Sequence, residues 1–312
     1  MRLIPFRGLL SVAPALLLVA ALGACGGPGP AADDHPRGSA TRTAASGSPP
    51  SPGAPTHALD ALRQRFGARL GLYALDTGTG REIGYHADDR FAFDSTYKVL
   101  AVGALLRRVP DADLDRVITY RAADLQDYSP ITRPRVSTGM TLRALMDAAL
   151  RYSDNTAANL LLRRLGGPAA LQRSLRAVGD STTHVDRDEP SVNTAVPGDV
   201  RDTTTPRALG TDLRRFVLGD LLTGGRRRQL TDWMLHNTTG GPYVRAGVPA
   251  GWKVADKTGN GDYGSRNDIA VAWPAQGAPV VIAVLSARGQ RDAASDDALI
   301  ADATETALAA LR

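Results

Sequence analysis

A serine and a lysine three residues apart, Ser95 and Lys98 in Phe93-Asp94-Ser95-Thr96-Tyr97-Lys98, could form an activated nucleophile. The stretch opens an apolar run from Val99 to Arg108 with helical spacing, and side chains three apart on a helix share one face. The positive end of a helix favours charge developing on the Ser95 oxygen, and a neighbouring amine can receive its proton. A helix cap with a solvated lysine would read the same way, so the pair gains meaning only beside other motifs. Two short runs qualify. Tyr152-Ser153-Asp154-Asn155 lies between two helical patterns, where Ser or Asp would ordinarily be an N-cap. Lys257-Thr258-Gly259 follows Trp252 to Ala255 at the end of a strand pattern. Composition adds weight to the lysines: of 37 lysines and arginines only Lys98, Lys253 and Lys257 are lysines. Arg stays charged, so a group that must give up its proton is work for lysine.

Taken in order, Ser95-x-x-Lys98, Ser153-Asp154-Asn155 and Lys257-Thr258-Gly259 resemble the three signature motifs of the penicillin-recognising serine enzymes. Arg187-Asp188-Glu189-Pro190-Ser191-Val192-Asn193 resembles the omega-loop segment of class A β-lactamases, with Glu189 as the base that activates water. An acyl-enzyme ester persists unless a carboxylate turns a water against it. The resemblance runs from about Thr56 to Arg312. It implies hydrolysis of the β-lactam amide of penicillins and cephalosporins through a Ser95 ester, giving antibiotic resistance.

Residue roles follow from the resemblance. Ser95 would be the nucleophile and either Lys98 or Glu189, through a water, its base. Ser153 would protonate the departing nitrogen, and the backbone N–H groups of Ser95 and Asn260 would form the oxyanion hole. Asn155 would hold the side-chain amide of the substrate. Lys257, Thr258 and Arg266 would take its carboxylate, with Asp297 beside Arg266. Tyr120 and Gly259 complete the expected substrate-binding set, and Glu189 with Asn193 would deliver water. Arg187 and Asp202 match the pair that closes the neck of the loop with a salt bridge, and a cis Glu189-Pro190 bond is implied. The departures are Asp94 before the nucleophile, Asp188 before the glutamate, Asn237 at an often acidic position and Asn260 after the Lys-Thr-Gly triplet. They bear on substrate preference more than on reaction type, although a carboxylate at Asp94 could perturb Lys98. Two rivals share part of the pattern: a D-Ala-D-Ala transpeptidase or carboxypeptidase, and a non-catalytic lipoprotein that binds lactams. Glu189 argues against both.

These groups need a scaffold. His57 to Phe66 has helical spacing, Arg69 to Asp76 alternates like a strand, and Thr77 to Gly80 turns into a second strand over Arg81 to Tyr85. Helical patterns follow at Val99 to Arg108, Leu142 to Arg151, Thr156 to Leu165, Pro168 to Val178 and Pro206 to Leu221. Strands return at Trp252 to Asp256, Asp268 to Trp273 and Pro279 to Ser286, and a last helix covers Asp297 to Leu311. This order predicts an α/β lobe with an antiparallel sheet flanked by helices, and an all-α lobe inserted over about 86–228, with the site in the cleft between them. Gly259-x-Gly261-x-x-Gly264 formally matches a dinucleotide fingerprint, but a strand follows it where a helix is needed.

The N-terminus has its own character. Arg2 and Arg7 precede an apolar run, Leu9 to Leu22, too short to span a bilayer. The run ends at Leu22-Gly23-Ala24-Cys25, which resembles a bacterial lipobox and holds the chain's only cysteine. The expectation is a signal peptide over 1–24, a lipid on Cys25, a Gly/Pro/Ser/Ala-rich tether over 25–55 and a catalytic domain over 56–312. The protein would be exported and held outside the cytoplasm on a membrane, partly released, and monomeric. One cysteine excludes an internal disulfide. A net charge of +5 invites nucleic-acid binding, and Arg226-Arg227-Arg228 is the densest basic run. Interleaved acids, 5% aromatics and no base-reading motif argue instead for a solvated Arg-rich surface. The five histidines show no paired ligand spacing, so neither metal nor cofactor is expected.

Overall fold

A computed structural model describes residues 54–312; the expected signal segment, Cys25 and nearly all of the tether lie outside them. Five strands form one antiparallel sheet: β1 (Arg69–Asp76), β2 (Glu82–Tyr85), β3 (Lys253–Asn260), β4 (Arg266–Trp273) and β5 (Val280–Ala287). Their order across the sheet is β2-β1-β5-β4-β3. The expected strands are therefore present, and β3 extends through the whole Lys257-Thr258-Gly259 motif to Asn260.

Alternation along the strands covers both faces. Tyr73, Leu75, Ile269, Val271, Val281, Ala283 and Leu285 turn one way, into the larger core shared with the helices. Leu70, Leu72, Ala74, Ala270, Ala272, Ile282 and Val284 turn the other way. There they meet α1 (Ala54–Phe66) and the last helix (Asp297–Leu311) through Leu59, Phe66, Leu299, Ile300 and Leu308. Each large apolar side chain so buried contributes about 1.5–3 kcal/mol. That fixes the register, because a one-residue slip would expose a whole face.

The inserted lobe is built around α2 (Tyr97–Arg108), whose residues from Tyr97 to Leu106 are all buried. Packed with it are α3 (Leu142–Arg151), α4 (Asn155–Leu165) and α5 (Pro168–Arg176). The starts of these helices are written in the sequence: the Thr141 side chain accepts from Ala144 N and Asp154 from Ala157 N. Gly166 ends α4 in the left-handed region at φ 103°.

Two features depart from expectation. Helix α6 (Pro206–Val217) stops short of Leu221 and packs against β1, β4 and β5. An unforeseen helix, α7 (Gly224–Leu235), then carries the lobe past residue 228 to pack beside β3. Its opening Gly224-Gly225-Arg226-Arg227-Arg228 has no apolar spacing, and only Leu230, Trp233 and Met234 are buried. Two of the three arginines are not plain solvated charge either. Arg226 donates to the carbonyl of Leu106 at the end of α2 and, at 3.1 Å, to Asp111, while Arg227 donates to the carbonyl of Gly219. These are orphan carbonyls near helix ends, and guanidinium groups satisfy them.

Candidate active site

Ser95 sits in a 3-10 turn, Asp94–Thr96, that feeds directly into α2. Thr96 Oγ1 donates to the Phe93 carbonyl at 2.6 Å, and the Phe93 and Tyr97 rings pack 5.6 Å apart beneath it. Against this turn lies β3 at Gly259, where a Cβ would meet the Phe93 carbonyl and Asp94 Cβ at 3.0–3.1 Å. A side chain at 259 would push the strand off the nucleophile. Gly259 thus belongs to the site as a close approach of backbone to backbone.

One turn beyond Ser95, at the second residue of α2, Lys98 is buried with its amine fully hydrogen-bonded. It donates to the Ser153 carbonyl at 2.7 Å, Asn155 Oδ1 at 2.7 Å and Ser153 Oγ at 3.3 Å, and lies 3.0 Å from Glu189 Oε1. Burial lowers its pKa against the pull of Glu189. Ser153 holds the left-handed region at φ 55°. It is kept there by Asp154, which caps α4 and accepts from Ile131 N and Thr132 N, both at 2.9 Å, and from Thr132 Oγ1 at 2.8 Å. From the sheet side Lys257 donates to Ser153 Oγ at 3.0 Å and to the Thr258 carbonyl at 2.8 Å. Burial, then the charge of Lys98, brings Lys257 down to about 7. The three motifs therefore meet at one hydroxyl, Ser153 Oγ.

The segment from Arg187 to Asn193 closes the floor. Ser95 Oγ donates to Glu189 Oε1 at 3.3 Å, and Asn193 Nδ2 donates to Glu189 Oε2 at 2.5 Å. The Glu189-Pro190 bond is cis. Arg187 Nε donates to Asp202 Oδ2 at 2.5 Å, and Asp202 Oδ1 also accepts from Asp186 N and Arg187 N. The neck of the loop is shut as expected. Sequence reasoning missed Asn159, which grips Glu189 from α4: its Nδ2 donates to the Glu189 carbonyl and its Oδ1 accepts from Glu189 N, both at 2.8 Å. Asn159 stands one helical turn beyond Asn155, on the same face, and that spacing was its only signal.

Ser95, Ser153, Asn155, Asn193, Thr258 and Asn260 line a cleft of about 230 Å³ between the lobes, with Tyr128 and Thr239. Tyr120 does not. It is buried with its hydroxyl donated to the Thr132 carbonyl at 2.7 Å, so it supports the loop that carries Asp154's partners. Tyr128 is the cleft tyrosine: 60% exposed, at φ 55°, with its carbonyl accepting from Asn155 N. Thr239, also missed, is 2.5 Å from Thr258 Oγ1 and hangs from Asn237, which in turn donates to Asp256. Asn237 thus reaches the site through two hydrogen bonds.

Arg266 pairs with Asn260 across the β3–β4 register and donates to Asp297 Oδ1 at 2.8 Å, as expected. Asn260 Oδ1 accepts from Tyr243 OH at 3.1 Å. A larger hollow of about 850 Å³ lies behind the loop, lined by Arg63, Arg69, Arg90 and Arg288 among others; none of the expected site residues is there. Among the described residues no cluster of His, Cys, Asp and Glu is arranged to hold a metal ion.

Comparison with known proteins agrees with this geometry. The sequence profile of the β-lactamase enzyme family matches residues 54–311. A β-lactamase of Amycolatopsis lactamdurans is 57% identical over 250 residues, covering 80% of this chain and 83% of that protein. The crystal structure of a halotolerant bacterial β-lactamase superposes with a TM-score of 0.81 at 52% identity, over 81% of this chain and 98% of the other. A class A β-lactamase from Clostridium kluyveri gives a TM-score of 0.81 at 45% identity, over 82% and 97% of the two chains. The chain belongs to the β-lactamase enzyme family, in class A.

Proposed function

We propose that Ser95 carries β-lactam hydrolysis through an ester, with Glu189, Lys98 and Ser153 as one proton-conducting chain. The observation behind this reading is continuity. Ser95 Oγ to Glu189 Oε1 is 3.3 Å, Glu189 Oε1 to Lys98 Nζ 3.0 Å, and Lys98 Nζ to Ser153 Oγ 3.3 Å; Lys257 Nζ holds that hydroxyl from the sheet side at 3.0 Å. The chain starts at the nucleophile and ends on the hydroxyl that would protonate the departing nitrogen.

In acylation the Ser95 oxygen bonds to the lactam carbonyl carbon and passes its proton to Glu189. The backbone N–H groups of Ser95, in the first turn of a helix, and of Asn260, on the open edge strand β3, stabilise the oxyanion, an effect of several kcal/mol. As the carbon–nitrogen bond breaks, Ser153 gives its proton to the nitrogen and regains one from Lys98, which Glu189 replenishes. Lys257 and Thr258 take the substrate carboxylate, Arg266 supports it from behind, and Asn155 holds the side-chain amide. In deacylation Glu189 and Asn193 hold a water against the ester. Its proton goes to Glu189 as its oxygen bonds to the ester carbon, and the Ser95 oxygen leaves and takes that proton back from Glu189.

The decisive measurement uses the folded domain, a chromogenic cephalosporin and intact mass. Hydrolysis continues over many turnovers and no adduct survives exhaustion of the substrate. A protein that stays acylated for hours would be a transpeptidase or a lactam-binding protein instead.

The same reading places the enzyme outside the cytoplasm, tethered through a lipid on Cys25, in keeping with the short apolar N-terminal run and the residues around that cysteine. When the whole chain is expressed in a bacterium that processes lipoproteins, activity sediments with membranes. Cys25→Ser sends it to the soluble fraction; activity that is soluble in both would remove the anchor.

A further inference from the structure

Asp94 precedes the nucleophile in the left-handed region at φ 46°, and none of its surface reaches solvent. Its Oδ2 accepts from Ser265 Oγ at 2.6 Å and from Asn267 Nδ2 at 2.8 Å. Asn267 also donates to the Ala92 carbonyl at 2.9 Å. The other oxygen, Oδ1, has no partner among the described residues. It lies over Gly261, where a Cβ would stand 2.4 Å from Oδ1 and 2.7 Å from the Asn193 carbonyl. One side chain thus runs from the Ser95 turn to the turn joining β3 and β4, beside the end of the Glu189 loop. The first piece carries the Ser95 N–H and the second begins at the residue after Asn260, so together they flank the two N–H groups assigned above to the oxyanion hole.

We propose that Asp94 is a positioning residue: its buried carboxyl ties the Ser95 turn to the β3–β4 turn, and a full negative charge on it switches hydrolysis off. The inference rests on the oxyanion-hole reading. An ionised Asp94 would set a negative charge one residue from the Ser95 N–H, opposing the oxyanion that forms in both half-reactions.

Several charged groups face it. Glu189 comes from the loop, Asp262 from the β3–β4 turn, where Arg291 pairs with it at 3.1 Å, and Arg266 from β4. Lys257 of β3 and Lys98 of α2 turn their amines to Ser153 instead. Burial, followed by Glu189 and Asp262, outweighs the Ser265 hydrogen bond and Arg266, and pushes the Asp94 carboxyl up to about 8. A carboxyl raised in this way holds its proton in the native state but not in the unfolded chain, so folding stability falls as pH rises from 3.8 to about 8.

The test measures kcat and KM for a penicillin across pH 5.5–10 in the wild type, Asp94→Asn and Asp94→Ala. A single group titrating near 8 lowers wild-type kcat roughly tenfold between pH 7 and 9. D94N keeps the shape and the accepting oxygen but cannot ionise. Its kcat at pH 7 stays within about threefold of wild type and is level to pH 9, and its melting temperature lacks the wild-type fall between pH 5.5 and about 8. D94A loses the tie, and kcat drops about tenfold or more at every pH. Lys257, near 7, meets the substrate carboxylate, so its titration appears in KM and persists in D94N. An alkaline fall in kcat that survives in D94N, or a D94A kcat equal to wild type throughout, overturns the proposal. Failure of the Ser95 assignment shows separately, as absence of any acyl adduct in the wild type.

Discussion

Glu189→Ala should convert the enzyme from a hydrolase into a protein that reacts once and stops. With a penicillin in excess, intact mass should show the whole population heavier by one intact antibiotic, and steady-state turnover should fall by about 10²–10⁴, the range of a lost general base. The asymmetry between the half-reactions follows from the site. Without Glu189, acylation can still pass the Ser95 proton into the chain through Lys98, whose pKa burial lowers, so the ester forms, more slowly. Water has no such alternative. The side chains that hold Glu189 in place, Asn193 through 2.5 Å and Asn159 through its backbone, supply no base of their own. Glu189→Gln keeps the shape of the loop and should trap the same adduct, which separates loss of the base from collapse of the loop. If either variant acylates and then regenerates free enzyme at the wild-type rate, the water-activating assignment is wrong.

The parts of this site that sequence made legible are those compressed into three or four neighbouring residues. Ser95 and Lys98 share a helix face by spacing alone, and Asp154 is readable as a cap because capping is a local hydrogen bond. Contacts across tens of residues left weaker traces. Asn159 meets Glu189 across 30 positions, and at the level of the chain it is one more polar residue on a buried helix. Tyr120 and Tyr128 show the limit well. Eight positions separate them and both are tyrosines near the cleft wall, but a left-handed backbone at Tyr128 aims one outward, while the Thr132 carbonyl draws the other in. Neither cause is visible until the loop is closed.

The fold was legible for a related reason. Strands β1, β4 and β5 carry near-continuous apolar runs because both faces are covered by apolar layers, and helices α3 and α4 have side-chain caps at their N-termini. Helix α7 has neither signal. Two glycines and three arginines open it, and what stabilises that end is the set of carbonyls left by α2 and by the turn after α6. Those partners lie up to 120 residues away, so the arginine run looked like solvated charge.

Lys98→Ala should be the most damaging change short of removing the nucleophile. Three effects coincide. Acylation loses the proton carrier between Glu189 and Ser153, about 10²–10⁴ in rate. The Ser153 carbonyl and Asn155 Oδ1 each lose a 2.7 Å donor, at about 1–3 kcal/mol for a buried acceptor left bare. Glu189, with no exposed side-chain surface, also loses its only cation within 4.0 Å among the described residues, and removing one member of a buried pair costs about 3–5 kcal/mol. The expected protein folds with a clearly lower melting temperature and forms its ester over hours. Because Glu189 remains, the ester once formed still hydrolyses, so little adduct accumulates. This is the reverse of Glu189→Ala, in which acylation outruns hydrolysis. Ser95→Ala gives the baseline, with no covalent adduct at any time and a melting temperature near wild type. Single-turnover mass spectra of the three variants side by side would separate nucleophile, carrier and base; a Lys98→Ala protein that acylates at the wild-type rate would remove Lys98 from the chain.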